Sequence, residues 1–88
     1  MKLAMTVKPI DGDAFDVIAR FGDFVAFERT WNRSVAKFES EMRLTDIAWL
    51  AWNVCKRTGR TTAAFDPEWI QSVDEVVLKD EAAELPLD

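Results

Sequence analysis

One stretch of the sequence, from about Met42 to Thr58, has apolar side chains around more than half of a helical wheel. At about 100° per residue they cover roughly 200° of the circumference, wider than the stripe of an ordinary surface helix. These residues are Leu44, Ile47, Ala48, Leu50, Ala51, Trp52, Val54 and Cys55. Because so wide an arc must contact more than one neighbouring element, we predict that this helix, over about 42–58, lies at the centre of the core. Gly59 follows it and is typical of a helix end.

The first twenty residues have the pattern of a β-hairpin. Leu3, Met5 and Val7 alternate with more polar residues, as expected for a strand with one buried face. The Asp-Gly pair at Asp11–Gly12 is typical of a tight turn, and an alternating return strand follows it. Two strands alone are not stable in water, so we expect the hairpin, over about 2–20, to pack on helices.

Two further helices are predicted around the central one. Asp23 is a suitable N-cap for a helix over about 23–33, whose apolar face is formed by Phe24, Phe27 and Trp31. A short helical turn can follow at 35–38, before the central helix.

The Asp66–Pro67 pair is typical of a helix start, and the apolar spacing after it favours a helix over about 66–77. That stripe consists of Trp69, Ile70, Val73, Val76 and Val77. The run from Val76 to Leu78 is also compatible with an extended strand.

The length of 88 residues is that of one domain. We therefore predict an α+β fold over residues 1–78, in which an N-terminal two-stranded β-hairpin packs on a small bundle of three to four α-helices. We predict that residues 79–88 form an acidic C-terminal tail.

The chain contains no His and a single Cys, which restricts its chemistry. The most common general base and metal ligand is missing, and nucleophile pairs that need His cannot form. One Cys cannot make an internal disulfide. We therefore expect no catalytic residues, no metal and no cofactor, and hence no enzyme. The start lacks the apolar run of a signal peptide, and no stretch is long enough to span a membrane, so we expect an intracellular, soluble protein.

Charge is distributed unevenly along the chain, whose net charge is −5. Residues 20–60 contain eight Lys or Arg and five acids, whereas residues 61–88 contain one Lys and eight acids. The overall acidity argues against a nucleic-acid partner. A basic middle and an acidic end favour either attraction within one chain or weak homo-oligomers that assemble head to tail.

Trp49 is the exception among the four tryptophans, because it lies on the polar side of the central helix, between Asp46 and Asn53. An exposed Trp is a strong candidate for an interface anchor. The alternative, equally weighted, is that the hairpin or the tail covers this face. The partner-binding candidates are Trp49, Lys56, Arg57, Arg60, Arg29 and Arg33. The expected core anchors are Phe24, Phe27, Trp31, Ile47, Leu50, Trp52, Trp69 and Val73.

Three segments in order, Phe21–Arg29, Arg43–Trp52 and Phe65–Trp69, give the chain a resemblance to a known family. Over about residues 1–78 it resembles the short tail assembly chaperones of long-tailed bacteriophages, of the siphophage type. The resemblance implies a non-catalytic protein that binds and solubilises the tape measure protein and helps to recruit major tail tube protein subunits. It also implies action in the host bacterial cytoplasm and absence from the mature virion.

Two other functions fit a small acidic domain. One is a regulator or inhibitor that binds a host protein, although the acids concentrate near one end rather than over a broad surface. The other is a virion structural subunit such as a head–tail connector, which mass spectrometry of purified particles would detect.

Overall fold

A computed structural model describes residues 2–35 and 43–79, and the architecture within them is α+β. A three-stranded antiparallel sheet has the order β2-β1-β3, and the helices pack on one of its faces. The elements are β1 (Lys2–Pro9), β2 (Phe15–Arg20), α1 (Phe21–Trp31), α2 (Leu44–Arg57), a wide helical turn (Phe65–Trp69), α3 (Ile70–Ser72) and β3 (Val73–Leu78).

The inner face of the sheet is formed by the alternating apolar residues of β1 and β2. Leu3, Met5 and Val7 are buried on β1, and Leu3 and Met5 lie opposite the buried Ala19 and Val17 of β2. Both strands of the predicted hairpin are therefore present. They belong to a three-stranded sheet, however, and not to the two-stranded one expected.

The third strand is the largest difference from the predicted fold. The expected helix over 66–77 is wrong beyond Ser72, because Val73–Leu78 pairs with β1. Asp66, which precedes Pro67, has extended backbone angles (φ −129°, ψ 123°), as residues before proline usually do. The valines that follow are β-branched and favour a strand, and β1 provides an edge for them.

The described helices therefore do not form the predicted bundle of three to four, since α3 is only a single turn. The alternative of an extended run from Val76 to Leu78 agrees with the structure. The predicted turn at 35–38 lies outside the described residues, apart from Val35.

Polar side chains connect the three strands on the outer face of the sheet. Asp16 on β2 accepts hydrogen bonds of 2.8 Å from Thr6 on β1 and from Lys79, which follows β3. The hydrogen bond from Lys79, followed by the one from Thr6, holds the pKa of Asp16 below its ordinary value. The outer face is therefore exposed to solvent, while the opposite face packs against the core.

Six of the aromatic side chains form a continuous row through the core and its edges. Neighbouring ring centroids lie between 5.6 and 6.5 Å apart, in the range of favourable aromatic pairs. The row consists, in spatial order, of Trp31, Phe27, Trp49, Trp52, Phe65 and Trp69.

Of the two alternatives for Trp49, the face that carries it is covered, but by α1 and not by the hairpin, and Trp31 is more exposed than expected for a core anchor. Trp49 is only 5% exposed and packs edge-on against Phe27 of α1, whereas Trp31 is 37% exposed. The side of α2 that carries Trp49 is polar in composition because it faces α1, where its polar groups have partners. Trp31 lies in the last turn of α1 and extends beyond this interface.

Replacing Trp49 by alanine should lower the free energy of unfolding by about 3–5 kcal/mol, because it leaves a large cavity between α1 and α2. Trp31→Ala removes the same side chain from an exposed position and should cost about 1 kcal/mol or less. Urea denaturation followed by circular dichroism measures both losses. Equal losses in the two variants would contradict this placement of the rings.

Candidate binding surface

Two of the predicted partner-binding arginines are bonded within the fold. Arg57 at the end of α2 binds Asp23, which is 1% exposed, through Nε at 3.1 Å and Nη2 at 2.9 Å. Asp23 also accepts hydrogen bonds from the backbone N–H of Arg20 and from the Asn53 amide, each at 2.8 Å. The hydrogen bond to this carboxylate raises the pKa of the Arg57 guanidinium above its ordinary value.

The same arrangement occurs at the start of α2. Asp46, which is 2% exposed, accepts hydrogen bonds from Arg33 at 2.7 and 3.0 Å and from the backbone N–H of Arg43 at 3.0 Å. Each carboxylate is the third residue of its own helix and is bound by an arginine from beyond that helix. We call these two groups the helix clamps. They require α1 and α2 to run antiparallel.

Asp23 had been expected to be an N-cap, but the N-cap of α1 is Arg20 and Asp23 lies in the first turn. A carboxylate there is stabilised by the free N–H groups and the helix dipole. The pattern Arg-x-x-Asp occurs at 20–23 and again at 43–46, at the start of each long helix. That repetition is the sequence signal that could have identified both clamps.

The other basic candidates do not form one patch. Lys56 lies over the Trp52 ring at 5.1 Å, and Arg60 lies over the Phe15 ring at 4.1 Å, both in cation–π geometry. Arg29 lines a polar depression beside the end of α1, together with Arg33. A role for any of these residues in partner binding stays a prediction.

Of the expected core anchors, Phe24, Phe27, Leu50 and Trp69 are buried. Ile47, Trp52 and Val73 are partly buried and pack against the core. Trp31 is the exception described above.

An apolar groove lies where the first turns of α2 meet α3 and the strand β3. It has a volume of about 440 Å³. Its apolar lining residues are Leu44, Ala48, Trp69, Ile70, Val73, Val76 and Val77. Leu44 is 81% exposed and Ile70 is 38% exposed, while Trp69 is buried. Contiguous apolar surface of this kind is typical of an interaction site.

The groove follows from the wide apolar arc of α2. One part of that arc packs on the sheet and another approaches α1, but α1 packs over β2 and leaves the β3 side uncovered. Leu44 and Ala48, one helical turn apart, therefore face the groove. The sequence predicted several neighbours for this helix, and within residues 2–35 and 43–79 no further helix covers it at this position.

Cys55 is buried on α2 and lines a small cavity with Arg60 and Trp69. Burial raises the pKa of its thiol, against a smaller lowering by the charge of Arg60. A buried thiol that stays protonated is a poor nucleophile.

The Cys55 thiol should therefore react with Ellman's reagent much more slowly in the native protein than in urea. The unfolded protein is the internal control, because its thiol is accessible and its pKa is ordinary. Absorbance of the released thiolate gives both rates. Equal rates would show that the thiol is accessible in the native state.

Over residues 2–35 and 43–79, no three His, Cys, Asp or Glu side chains come together as a metal-binding group. None of the helices described there has the length and apolar character needed to cross a bilayer. Comparisons with family models, with curated proteins and with solved structures found no match. The resemblance to tail assembly chaperones therefore depends on the three sequence segments alone.

Breaking a helix clamp should be far more costly than breaking a surface ion pair. Arg57→Met leaves the buried Asp23 carboxylate without its cation and should destabilise the protein by about 2–3 kcal/mol. Lys8→Met is the matched control, because Lys8 pairs with Glu75 at 3.6 Å with both side chains about half exposed. That change should cost less than about 0.5 kcal/mol. Urea denaturation distinguishes the two, and equal costs would show that the clamp contributes no more than a surface pair.

Proposed function

We propose that the protein is a non-catalytic tail assembly chaperone that binds the tape measure protein of a long-tailed phage. It keeps this long helical partner soluble and helps to recruit tail tube subunits. In this role it acts in the host bacterial cytoplasm and is absent from the mature virion. The observation that carries the proposal is the apolar groove, together with the resemblance of the three sequence segments.

The groove supports this function better than the surface first predicted from the sequence. A long helical protein presents apolar stripes that aggregate unless another protein covers them, and an apolar groove covers such a stripe directly. Trp49, the original anchor candidate, is in the core and has no part in this proposal. The anchors proposed in its place are Leu44 and Ile70.

Weak self-association is a second element of the proposal. Arg33 and Arg57 are bound to buried carboxylates, but the other basic residues between 20 and 60 and the acidic residues after 61 favour head-to-tail contacts between copies. Such contacts would place several copies along one filament. They should weaken as salt is added, since exposed charges are screened.

Mass spectrometry of purified virions separates this function from that of a head–tail connector. A chaperone should be missing from the particle, and a connector should be present in it.

The double variant Leu44→Gln/Ile70→Gln should lose the tape measure protein from the soluble fraction when the two proteins are co-expressed. Both changes remove apolar surface from the groove at exposed positions, so folding stability should fall by only about 1 kcal/mol. The readout is the amount of tape measure protein that co-purifies with the chaperone.

The matched control is Ile10→Gln/Phe21→Gln, which changes two exposed apolar residues outside the groove. It should leave the complex intact. If the groove variant and the control retain the same amount of partner, the groove is not the site. If the unaltered protein neither binds nor solubilises the tape measure protein, the proposed function is wrong.

A further inference from the structure

We propose that the groove selects an amphipathic helix that carries Lys or Arg beside its apolar stripe. This inference rests on the proposed function in assuming a helical partner, and it adds the charge that the partner must carry. It is argued from the shape of the groove and from the charge at its rim.

The shape of the groove corresponds to the place of a third helix on the sheet. The exposed Leu44 and Ala48 of α2 form one wall, and Val73 and Val76 of β3 belong to the other. Trp69 closes the floor with a ring that is already buried. A helix fits such a slot because its backbone hydrogen bonds are internal, so it brings only an apolar stripe to an apolar surface.

The charge at the rim is negative. Asp74 and Glu75 line the β3 side of the groove and are exposed. Glu75 lies opposite Lys8 in the sheet, and its carboxylate pairs with Lys8 on the outer face at 3.6 Å. Asp74 forms no ion pair with any residue in the described ranges, so it supplies the negative charge of the rim. Cations beside the apolar stripe of an incoming helix would therefore be attracted, and acids would be repelled.

The same charge disfavours residues 80–88 of this chain as the occupant. Residues 80–88 contain Leu85 and Leu87, but also four acids and no Lys or Arg. An acidic segment would bring like charges to Asp74. The arginines of the helix clamps are already bound to buried carboxylates, so they are poor candidates for the cations that a second copy would supply.

The test uses the full-length protein and three labelled peptides of about five helical turns each. The first has a Leu/Ala stripe flanked by Lys, the second has the same stripe flanked by Glu, and the third is the Lys peptide interrupted by prolines. Fluorescence anisotropy at low ionic strength gives each affinity. We expect the Lys helix to bind about tenfold more tightly than the Glu helix, and the proline-interrupted peptide to bind much more weakly.

Two variants test whether the groove binds the peptide and whether Asp74 sets the preference for Lys over Glu. Leu44→Gln/Ile70→Gln should weaken binding of the Lys helix at least about tenfold, because the apolar contacts are lost. Asp74→Lys should abolish or reverse the preference for Lys over Glu. Asp13→Lys is its matched control, because it makes the same change in net charge in the exposed turn between β1 and β2.

Several results would overturn the proposal. Equal affinity for the Lys and Glu helices, or no binding of either, would show that the groove does not select a basic helix. Equal affinity for the proline-interrupted peptide indicates that an extended segment binds. A gain in peptide affinity in Leu85→Gln/Leu87→Gln identifies the C-terminal segment as the occupant. A dimer in sedimentation that Leu44→Gln/Ile70→Gln dissociates identifies a second copy.

Failure of this inference can be distinguished from failure of the proposed function. If the groove variant weakens binding of the tape measure protein but Asp74→Lys leaves it unchanged, only this inference fails. If the peptides bind as expected but the tape measure protein does not, only the function fails.

Discussion

The helix clamps are the interactions on which the arrangement of the helices depends. Asp23 and Asp46 are almost fully buried, and each is bound by an arginine from beyond its own helix. A buried carboxylate without such a partner is strongly unfavourable, so only one relative orientation of α1 and α2 satisfies both groups together. Apolar packing alone tolerates sliding and rotation of two helices. The two clamps, one at each end of the pair, fix the direction and register of the helices.

That register determines where the remaining surface of α2 is exposed. Once Asp46 and Asn53 turn toward α1, Trp49 between them must enter the same interface and contact Phe27. The opposite part of the wide apolar arc then faces away from α1, toward β3. Because the chain after Pro67 leaves the helical conformation at Val73 and pairs with β1, no long helix of the described chain covers this part. The groove is thus a consequence of the clamps and of the third strand together.

The sequence was sufficient for the elements that depend on local pattern. Alternation in β1 and β2 and the apolar stripes of α1 and α2 predicted these four elements to within about two residues at most ends. Residues whose environment is set by distant partners were misassigned. Asp46 and Asn53 looked like an exposed polar face because their partners, Arg33 and Asp23, lie 13 and 30 positions away. The spacing from Trp69 to Val77 fits a helix. The last part of this segment is a strand because it pairs with the free edge of β1, which local spacing does not reveal.

The internal use of the arginines also changes which charges can recognise a partner. From composition alone, the basic middle of the chain looks like a surface that attracts acidic proteins. In the fold, Arg33 and Arg57 neutralise buried carboxylates, and Lys56 and Arg60 lie over aromatic rings, so much of that charge is held by the fold itself. Asp74 at the rim of the groove remains exposed to solvent beside apolar surface. Opposite charge selects partners most effectively where it borders a desolvated contact, so the acidic part of the chain, rather than its basic part, would determine what this surface binds.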